Sequence, residues 1–385
     1  MKTYALASLL ACGALAPRAR AQVDFSGYAK DFSQFSRDAF TGQSYQLNTA
    51  RLRLSANVDE GWFESHVDLD NQVGSGSYFQ SETYKLYGYT QPHPWLGLQR
   101  TISTGQSNAY GIGAYRAWAG YKDDNSVVRF GRQRIAWGTG KLWNPTDVLN
   151  PYQPTSVEPD ERRGVDALYA RTSLGDVAQA EYVWAPNDTW PNQAMLARVH
   201  GDVAGWDWSL MGGKTAVSTA SVMGGGDFAG TFLNGTLYGE WAYQAPQVRT
   251  PYWKADLGYD YTFSHDSSWK VLKDAALIVE YFHAGNGQTD PARYNFAPEL
   301  VGTEVTVAQN YFGATFSKDL NALLKFQAVV VANADDGSTF AAPSLIWNAL
   351  ENLYLSASLQ RFGGGLSTEF GRQPNQSVLM AQYYF

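Results

Sequence analysis

One stretch of the chain combines residue types that could bind an anion. The run from Arg129 to Pro145, RFGRQRIAWGTGKLWNP, has four basic residues and no acid, although the whole chain carries a net charge of −7. Glycines followed by a lysine hold phosphate in nucleotide-binding loops. That motif requires Gly-x₄-Gly-Lys-Ser/Thr, and here Ile135 and Leu142 occupy its first and last positions. The third glycine of a dinucleotide fingerprint is also missing, so neither type of nucleotide site is indicated.

Other chemistries have weaker support. The five histidines are scattered, and no His-x₃-His, His-x-His or cysteine cluster predicts a metal site. His66 with Asp68 and Asp70 could serve acid–base catalysis, but alternate residues of one strand more often form a charged wall. The turn 123–125 could bind Ca²⁺, although solvated turn residues are the usual case. We therefore expect no enzyme activity and no cofactor.

The N-terminal residues predict export. A short basic start, an apolar run from Tyr4 to Ala16 and the sequence Ala19-Arg20-Ala21 are typical of a secretory signal peptide, 1–21. A lipoprotein signal around Cys12 is the alternative. Removal of 1–21 takes away the single cysteine and three basic residues, and the net charge becomes −10. An acidic exported chain argues against nucleic acid as a partner.

Composition narrows the class further. Aromatic residues make up 15% of the chain, with 24 Tyr and 13 Trp, and no segment after residue 21 approaches 18 consecutive apolar residues. Helical membrane spans are thereby excluded. The profile is typical of a transmembrane β-barrel, and a soluble extracellular β-protein fits composition nearly as well.

The pattern of alternation favours the barrel. In 50–58 apolar residues alternate with Arg51, Arg53 and polar residues, and in 63–70 they alternate with charged residues that include Asp68 and Asp70. A four-residue turn at 59–62 would pair Val58 with Phe63 and so place Arg53 opposite Asp68 and Arg51 opposite Asp70. These two segments are predicted to form a hairpin with one apolar and one charged face.

The same pattern continues along the chain. Twenty candidate strands run from 23–36 to 376–385, among them 81–90 and 94–104, and short turns alternate with longer Gly-, Asn- and Pro-rich loops. This asymmetry is typical of an outer-membrane barrel with short periplasmic turns and long extracellular loops. We predict an all-β fold: a single transmembrane antiparallel up-and-down β-barrel over 22–385 with about 18 strands, within a range of 16 to 20.

The last residues add a more specific signal. Leu379, Ala381, Tyr383 and Phe385 recur at every second position, and the final residue is aromatic. A terminal Phe with Tyr two residues before it resembles the C-terminal sorting signal of bacterial outer-membrane barrels. We therefore expect Tyr383 and Phe385 to be read by the barrel-assembly machinery. The surroundings would then be outer-membrane lipid and lipopolysaccharide.

Strand alternation gives the opening stretch a different role. Pairing of Tyr121 with Val128 and of Ala119 with Phe130 places Arg129 in the lumen, and unbroken alternation would turn Arg132 and Arg134 towards lipid. Each lipid-facing arginine would cost about 2–4 kcal/mol near the midplane. A bulge at Gly131 avoids this cost because one extra residue reverses the alternation. With that bulge the three arginines line the lumen and Ile135 and Trp137 face the membrane.

The loop that follows is long and rich in proline and charge. Residues 138–163 contain four prolines and end in a charged cluster, so the loop is predicted to fold back into the barrel and narrow it. A solvated outer loop is the alternative. The predicted lumen and constriction residues are Arg51, Arg53, Asp68, Asp70, Arg116, Arg129, Arg132, Arg134, Glu158, Asp160, Glu161, Arg162 and Arg163.

A family resemblance rests on these same residues. The run FGRQRIAWGTGKLWNPTDVLNP, followed by DERRGVDAL at 160–168, resembles a motif of a poorly characterised porin-like family of Gram-negative outer-membrane proteins and is distantly similar to alginate-export-type barrels. The local likeness covers about forty residues. It implies a β-barrel in the outer membrane that works as a channel, and it brings no substrate and no functional residue.

The sequence thus predicts a porin that passes small hydrophilic solutes passively. Assembly as a monomer or as a homotrimer stays open. Trp118, Trp143 and Tyr152 near the constriction could stack on sugars, although interface girdles are the commoner use of such residues. A non-conducting barrel that acts as an adhesin, anchor or scaffold is the alternative function.

Overall fold

The computed structural model describes residues 22–87, 95–162, 164–187, 193–215, 221–247, 249–297 and 304–385. The predicted signal peptide 1–21 and Arg163 lie outside these residues. The strands are β1 Gln22–Arg37, β2 Ser44–Asp59, β3 Phe63–Ser75, β4 Gln99–Thr104, β5 Asn108–Lys122, β6 Ser126–Gln133, β7 Val165–Ser173, β8 Ala178–Ala185, β9 Ala194–Val203, β10 Trp206–Thr215, β11 Ser221–Phe232, β12 Gly235–Pro246, β13 Tyr252–Thr262, β14 Ala276–Ala284, β15 Asn310–Asn321, β16 Leu324–Asn333, β17 Thr339–Leu350, β18 Leu353–Gly363 and β19 Gln376–Tyr384.

The strands close into a barrel. Each strand pairs antiparallel with its neighbours, and β1 pairs with both β2 and β19, which completes the ring. The short strand β4 pairs only with β5, whose other edge pairs with β3, so the closed wall contains 18 strands. Closure leaves the 18-stranded wall without an open edge, because each of its strands pairs with a neighbour on both sides. The predicted all-β up-and-down barrel of about 18 strands is confirmed.

The two ends of the barrel carry connections of different length. At the end with the chain termini, seven of eight connections have two to four residues, and the eighth, 263–275, is longer. At the opposite end the connections reach 32 residues, in 76–107, and 31 residues, in 134–164.

Alternation sorts side chains between the inside and the outside of the wall. On β12, Glu240, Ala242 and Gln244 are buried, whereas Trp241 and Tyr243 between them are 39% and 36% exposed. Strand geometry places successive side chains on opposite faces, so the buried polar set points inward and the exposed apolar set points outward. An outward apolar band and a polar interior suit a barrel surrounded by lipid.

The first hairpin differs in register from the prediction. Arg53 lies opposite Asp70, Arg51 opposite Gln72 and Asp68 opposite Ser55. Asp59 pairs with Glu64, and residues 60–62 connect the end of β2 to the start of β3. The shift is two residues, so every side chain keeps the predicted face and only its partner changes.

One predicted strand is wrong. Of the candidate 81–90, residues Glu82–Tyr87 form a short helix, α1. The candidate 94–104 corresponds to β4, which lies outside the ring. The other eighteen candidates each match a strand of the closed wall. No helix among the described residues is both long and apolar enough to cross a bilayer.

The predicted bulge at Gly131 is absent, and an irregularity occurs on the neighbouring strand. Pairing between β5 and β6 runs without a shift through Gly131 opposite Trp118, and the predicted pairing of Tyr121 with Val128 is confirmed. Gly131 has φ of 128°, a conformation that favours glycine. The extra residue is Tyr115 on β5, since Asp68 pairs with Arg116 and Leu69 with Ala114.

Candidate functional site

The 134–164 connection between β6 and β7 makes ion pairs with the inner side of the wall at β1 and β2. The Glu158 carboxylate lies 2.9 Å from Lys30 Nζ and 3.1 Å from Arg51 Nη2. Glu161 lies 3.0 Å from Arg53 Nη1 and accepts a hydrogen bond of 2.8 Å from Tyr28 Oη. Two acids of the loop are therefore held by three cations of the wall.

Arg53 connects the ion pairs of the loop to a second acid on the wall. Arg53 also binds Asp70 with two hydrogen bonds of 2.6 and 2.7 Å, so its guanidinium bridges the loop and β3. Planar two-point pairing of this kind is among the stronger charged contacts in proteins. Burial alone would raise the pKa of Glu161, but Arg53, the Tyr28 hydroxyl, Lys30 and Arg51 together lower that pKa to about 2.

The same loop is held elsewhere by its backbone. The Glu240 carboxylate of β12 accepts hydrogen bonds from the backbone N–H groups of Thr139, Gly140 and Thr146, and also from the Asn144 amide and the Thr146 hydroxyl. Glu240 is only 2% exposed. Its carboxyl oxygens are therefore surrounded by N–H and O–H donors from the loop.

A second carboxylate continues this arrangement. Glu280 of β14 accepts hydrogen bonds from the backbone N–H groups of Lys141, Leu142 and Trp143, and from the Tyr238 hydroxyl. Successive N–H groups that converge on one anion form a nest, the device that phosphate-binding loops use. In this chain the anion belongs to the barrel wall, which explains the resemblance of the Gly-Thr-Gly-Lys stretch to a phosphate loop.

The glycines of this stretch make the close approach to the wall achievable. A Cβ atom on Gly138 would collide with the Glu240 carboxylate, and Gly138 has φ of 98°. A Cβ on Gly140 would collide with the Trp143 carbonyl oxygen. Any other residue at either position would displace the loop from Glu240.

The two contact regions lie on opposite walls. In the ring of 18 strands, β2 and β12 are separated by nine steps in either direction. We call the contacts of Glu158 and Glu161 with Lys30, Arg51 and Arg53 the ion-pair anchor, and those of 139–146 with Glu240 and Glu280 the backbone anchor. The loop contacts both walls from within, so it spans the barrel interior.

Apolar packing supports the backbone anchor. Leu142 and Trp143 are 2% and 1% exposed, and Trp143 stacks on Phe282 of β14 with ring centroids 5.4 Å apart. Ile135 and Trp137 pack against the inner side of β7 to β12. The prediction that Ile135 and Trp137 face the membrane is wrong, because the chain turns inward after β6. Trp143 is too deeply buried to stack on a sugar.

Arg132 differs from its predicted placement inside the barrel. It pairs with Ala117 and Asp166 and shares the outward face with Val128 and Phe130. Its guanidinium binds Asp166 at 2.9 Å and donates to the Leu96 carbonyl, and the side chain is 3% exposed. The 95–98 segment covers this pair near the end with the long loops, so no lipid-facing charge results and no bulge is needed.

The remaining predicted residues fall into two groups. Arg116, Arg129, Asp68 and Asp70 point inward, where Arg116 donates to the Arg162 carbonyl and Arg129 binds Glu64 at 2.6 Å. His66 Nε2 lies 2.9 Å from Asp68. Arg134 and Asp160 on the loop are exposed.

Tyr383 and Phe385 are 47% and 54% exposed on the outward side, and Phe385 exchanges two backbone hydrogen bonds with Gly27.

A buried acid of the loop lies between the two anchors. Asp147 is 3% exposed, accepts a 2.8 Å hydrogen bond from the Asn150 N–H and lies 3.4 Å from Arg162 Nη1. Burial raises the pKa of Asp147 to about 7, although the Asn150 N–H and Arg162 act in the opposite direction.

Sequence reasoning missed the acidic wall. Asp227, Glu240 and Asp256 lie in register on β11, β12 and β13, each 6% exposed or less, and Glu280 follows on β14. The signal was present in the alternation of 238–244, where Glu240 shares a face with Ala242 and Gln244. No group of three or more potential metal ligands with suitable geometry occurs among the described residues.

Comparison with known proteins identifies the fold. No protein-family model matches the chain, and no curated protein matches it in sequence. Solved structures do match: OccK5 (OpdH) of Pseudomonas aeruginosa has 12% identity and a TM-score of 0.56 over 94% of this chain and 98% of that chain. OccK7 (OpdD) of the same species has 11% identity and a TM-score of 0.55 over 95% and 99%.

OccAB2 of Acinetobacter baumannii gives a similar result, with 12% identity and a TM-score of 0.55 over 94% of this chain and 98% of that chain. This chain has the fold of an outer-membrane porin. Likeness at this level of identity concerns the fold alone.

Proposed function

We propose that this chain is a porin-type channel of the bacterial outer membrane, through which small hydrophilic solutes diffuse passively. The proposal rests mainly on the loop that contacts opposite walls of a closed barrel. A segment held at both sides of an 18-stranded barrel divides the interior and leaves a narrower passage beside it, and such constrictions select by size and charge.

The ionisable residues of the two walls differ. The wall from β1 to β5 presents Lys30, Arg51, Arg53 and Arg116 together with Asp68 and Asp70, and the opposite wall at β11 to β14 presents Asp227, Glu240, Asp256 and Glu280. Most of these groups are neutralised or bound by the loop. The exposed charges of the loop itself, Arg134, Lys141 and Asp160, are then the ones that a passing solute meets.

The direct test is single-channel recording of the refolded chain 22–385 in a planar bilayer, with a salt gradient across the membrane. Stable open steps support the channel, and the reversal potential reports which sign of charge governs passage. A folded barrel without current would contradict the proposal and favour a non-conducting role such as an adhesin, anchor or scaffold.

A charge variant sharpens this test. Lys141→Gln removes one exposed cation of the loop and keeps the backbone N–H that binds Glu280, and Lys122→Gln removes a cation from the exposed ion pair with Asp59 at the terminus end. We expect Lys141→Gln to shift the reversal potential towards cation preference and Lys122→Gln to leave it unchanged. Equal reversal potentials in both variants would show that the loop does not line the passage.

A further inference from the structure

One connection at the terminus end departs from the pattern of the others. Residues 263–275 form a 13-residue segment, where the other seven connections have two to four residues. The segment is ordered by its own contacts. Asp274 N–H donates to the Phe263 carbonyl, Ala275 N–H donates to the Leu272 carbonyl, and His265 Nδ1 lies 2.8 Å from Asp274.

This segment lies against the outer side of the barrel. Lys318 on β15 donates from Nζ to the carbonyl oxygens of Lys270 and Val271, both at 2.8 Å. Lys318 lies opposite Phe326 and shares its face with Phe312, which is 56% exposed. Because alternation places Phe312 on the outward face, Lys318 holds the segment beside the lipid-facing surface.

The segment presents apolar groups next to an aromatic column. Trp269 and Val271 are 72% and 70% exposed. On the adjoining strand β13 the outward residues Tyr259 and Tyr261 precede Phe263, the first residue of the segment, with ring centroids 6.3 and 5.0 Å apart. This column reaches the terminus end of the wall, and aromatic residues near the ends of barrel strands are typical of the boundary between acyl chains and headgroups.

Basic residues accompany the apolar ones. Lys270 lies between Trp269 and Val271 and is exposed, and Lys273 follows two residues later and is half-buried. An apolar pair with one lysine between its members and one after them matches the two layers of a membrane interface, since apolar side chains reach the acyl boundary while ammonium groups remain at the phosphates.

We propose that the 263–275 segment is an interfacial element that binds phospholipid headgroups of the periplasmic leaflet, with Trp269 and Val271 at the acyl boundary and Lys270 and Lys273 at the phosphates. This inference rests on the proposed outer-membrane location. It adds a lipid contact that is independent of the channel interior and fixes the level of the barrel in the bilayer at one side.

Single cysteines labelled with an environment-sensitive fluorophore test the proposal, because the chain from residue 22 onward has no cysteine of its own. Trp269→Cys probes the segment, Asp124→Cys probes a short exposed turn at the same end, and Leu257→Cys probes the outward face of β13. The barrels are refolded into vesicles of phosphatidylethanolamine and phosphatidylglycerol that carry a nitroxide at the headgroup or on the acyl chain.

We expect headgroup nitroxide to quench the Trp269→Cys probe at least about twofold more than the Asp124→Cys probe. Equal quenching of the two, with acyl-chain quenching of Leu257→Cys intact, overturns the lipid contact and leaves the outer-membrane location standing. Failure of acyl-chain nitroxide to quench Leu257→Cys overturns both. In a second measurement, Lys270→Glu with Lys273→Glu should lower headgroup quenching at residue 269, and no change would contradict the role of the lysines.

Discussion

The two anchors of the inner loop hold it by different chemistry. At the ion-pair anchor, carboxylates of the loop meet cations of the wall, and at the backbone anchor, carboxylates of the wall meet N–H groups of the loop. The ion-pair anchor is partly solvated, with Glu158 and Glu161 side chains 16% and 18% exposed. The backbone anchor is nearly closed, with Glu240 and Glu280 2% and 3% exposed.

This difference predicts different responses to change. Partly exposed ion pairs are weakened by salt and tolerate the loss of one partner, since water replaces it. A buried carboxylate that receives several N–H donors cannot be removed without leaving those donors unsatisfied. The backbone anchor should therefore contribute more to stability, and the ion-pair anchor should respond more to solution conditions.

The largest expected effect is at the backbone anchor. Glu280→Ala leaves the N–H groups of Lys141, Leu142 and Trp143 without their acceptor. We expect a loss of about 3–5 kcal/mol in the free energy of unfolding, measured by urea titration in detergent. Glu82→Ala, which removes the exposed pair with Lys85, is the control and should change little. Similar losses in both variants would contradict the distinction.

The ion-pair anchor should show a smaller, salt-dependent effect. Glu161→Gln removes the charge that meets Arg53 and keeps the size of the side chain. We expect a loss of about 1–2 kcal/mol at low salt, which shrinks when the same urea titration is run at high salt. A loss in the free energy of unfolding that is the same at low and high salt would show that the ion-pair anchor behaves as a buried contact too.

Acid should weaken the ion-pair anchor in a defined range. The folded pKa of Glu161, about 2, lies below its ordinary value of 4.5, so its contribution is complete above pH 4.5 and is lost as the pH falls through about 2. Unfolding midpoints of the wild type and Glu161→Gln should therefore converge between these values. A constant difference across this range would contradict the assignment.

Asp147, between the anchors, should act in the opposite direction. The pKa of Asp147 in the folded protein, about 7, exceeds its ordinary value of 3.8. The contribution of this residue to the free energy of unfolding is therefore fully present below pH 3.8 and is lost as the pH rises through 7, because the buried group must then become charged. We expect Asp147→Asn to be more stable than the wild type by roughly 1 kcal/mol at pH 8, with the difference disappearing in acid. A variant that is less stable at pH 8 would show that the contact with Arg162 outweighs burial.

The smallest effect is expected outside the loop. Asp59→Asn breaks an ion pair with Lys122 at the terminus end, where Asp59 is largely exposed. Exposed pairs contribute little because water screens them, so the unfolding midpoint should barely move. A large shift would mean that charges far from the loop also hold the barrel together.

The wall could be predicted from sequence because strand alternation has a fixed period. The face of Arg51, Arg53, Asp68 and Asp70 followed from position alone, and a register error of two residues did not alter it. The pairing of Tyr121 with Val128 followed from the turn at 123–125. The strand count was right because each wall strand carries its own alternation.

Long-range contacts could not be predicted in the same way. Arg132 was assigned to the interior because a lipid-facing arginine is costly, but a distant segment, 95–98, covers it on the outside. The prediction for Ile135 and Trp137 continues the alternation of β6 beyond Gln133, although the chain leaves the wall at that residue. The backbone anchor carries no charge pattern on the loop, so nothing in 138–146 pointed to Glu240 or Glu280.

The most direct test of the spanning loop is the single-channel conductance of a variant that lacks the backbone anchor. Glu240→Ala with Glu280→Ala should still form a closed barrel, shown by heat-modifiable gel migration, and should conduct more than the wild type because the loop is released from one wall. Glu82→Ala should conduct like the wild type. A folded double variant with unchanged conductance would contradict the claim that this loop, held between opposite walls, sets the width of the passage.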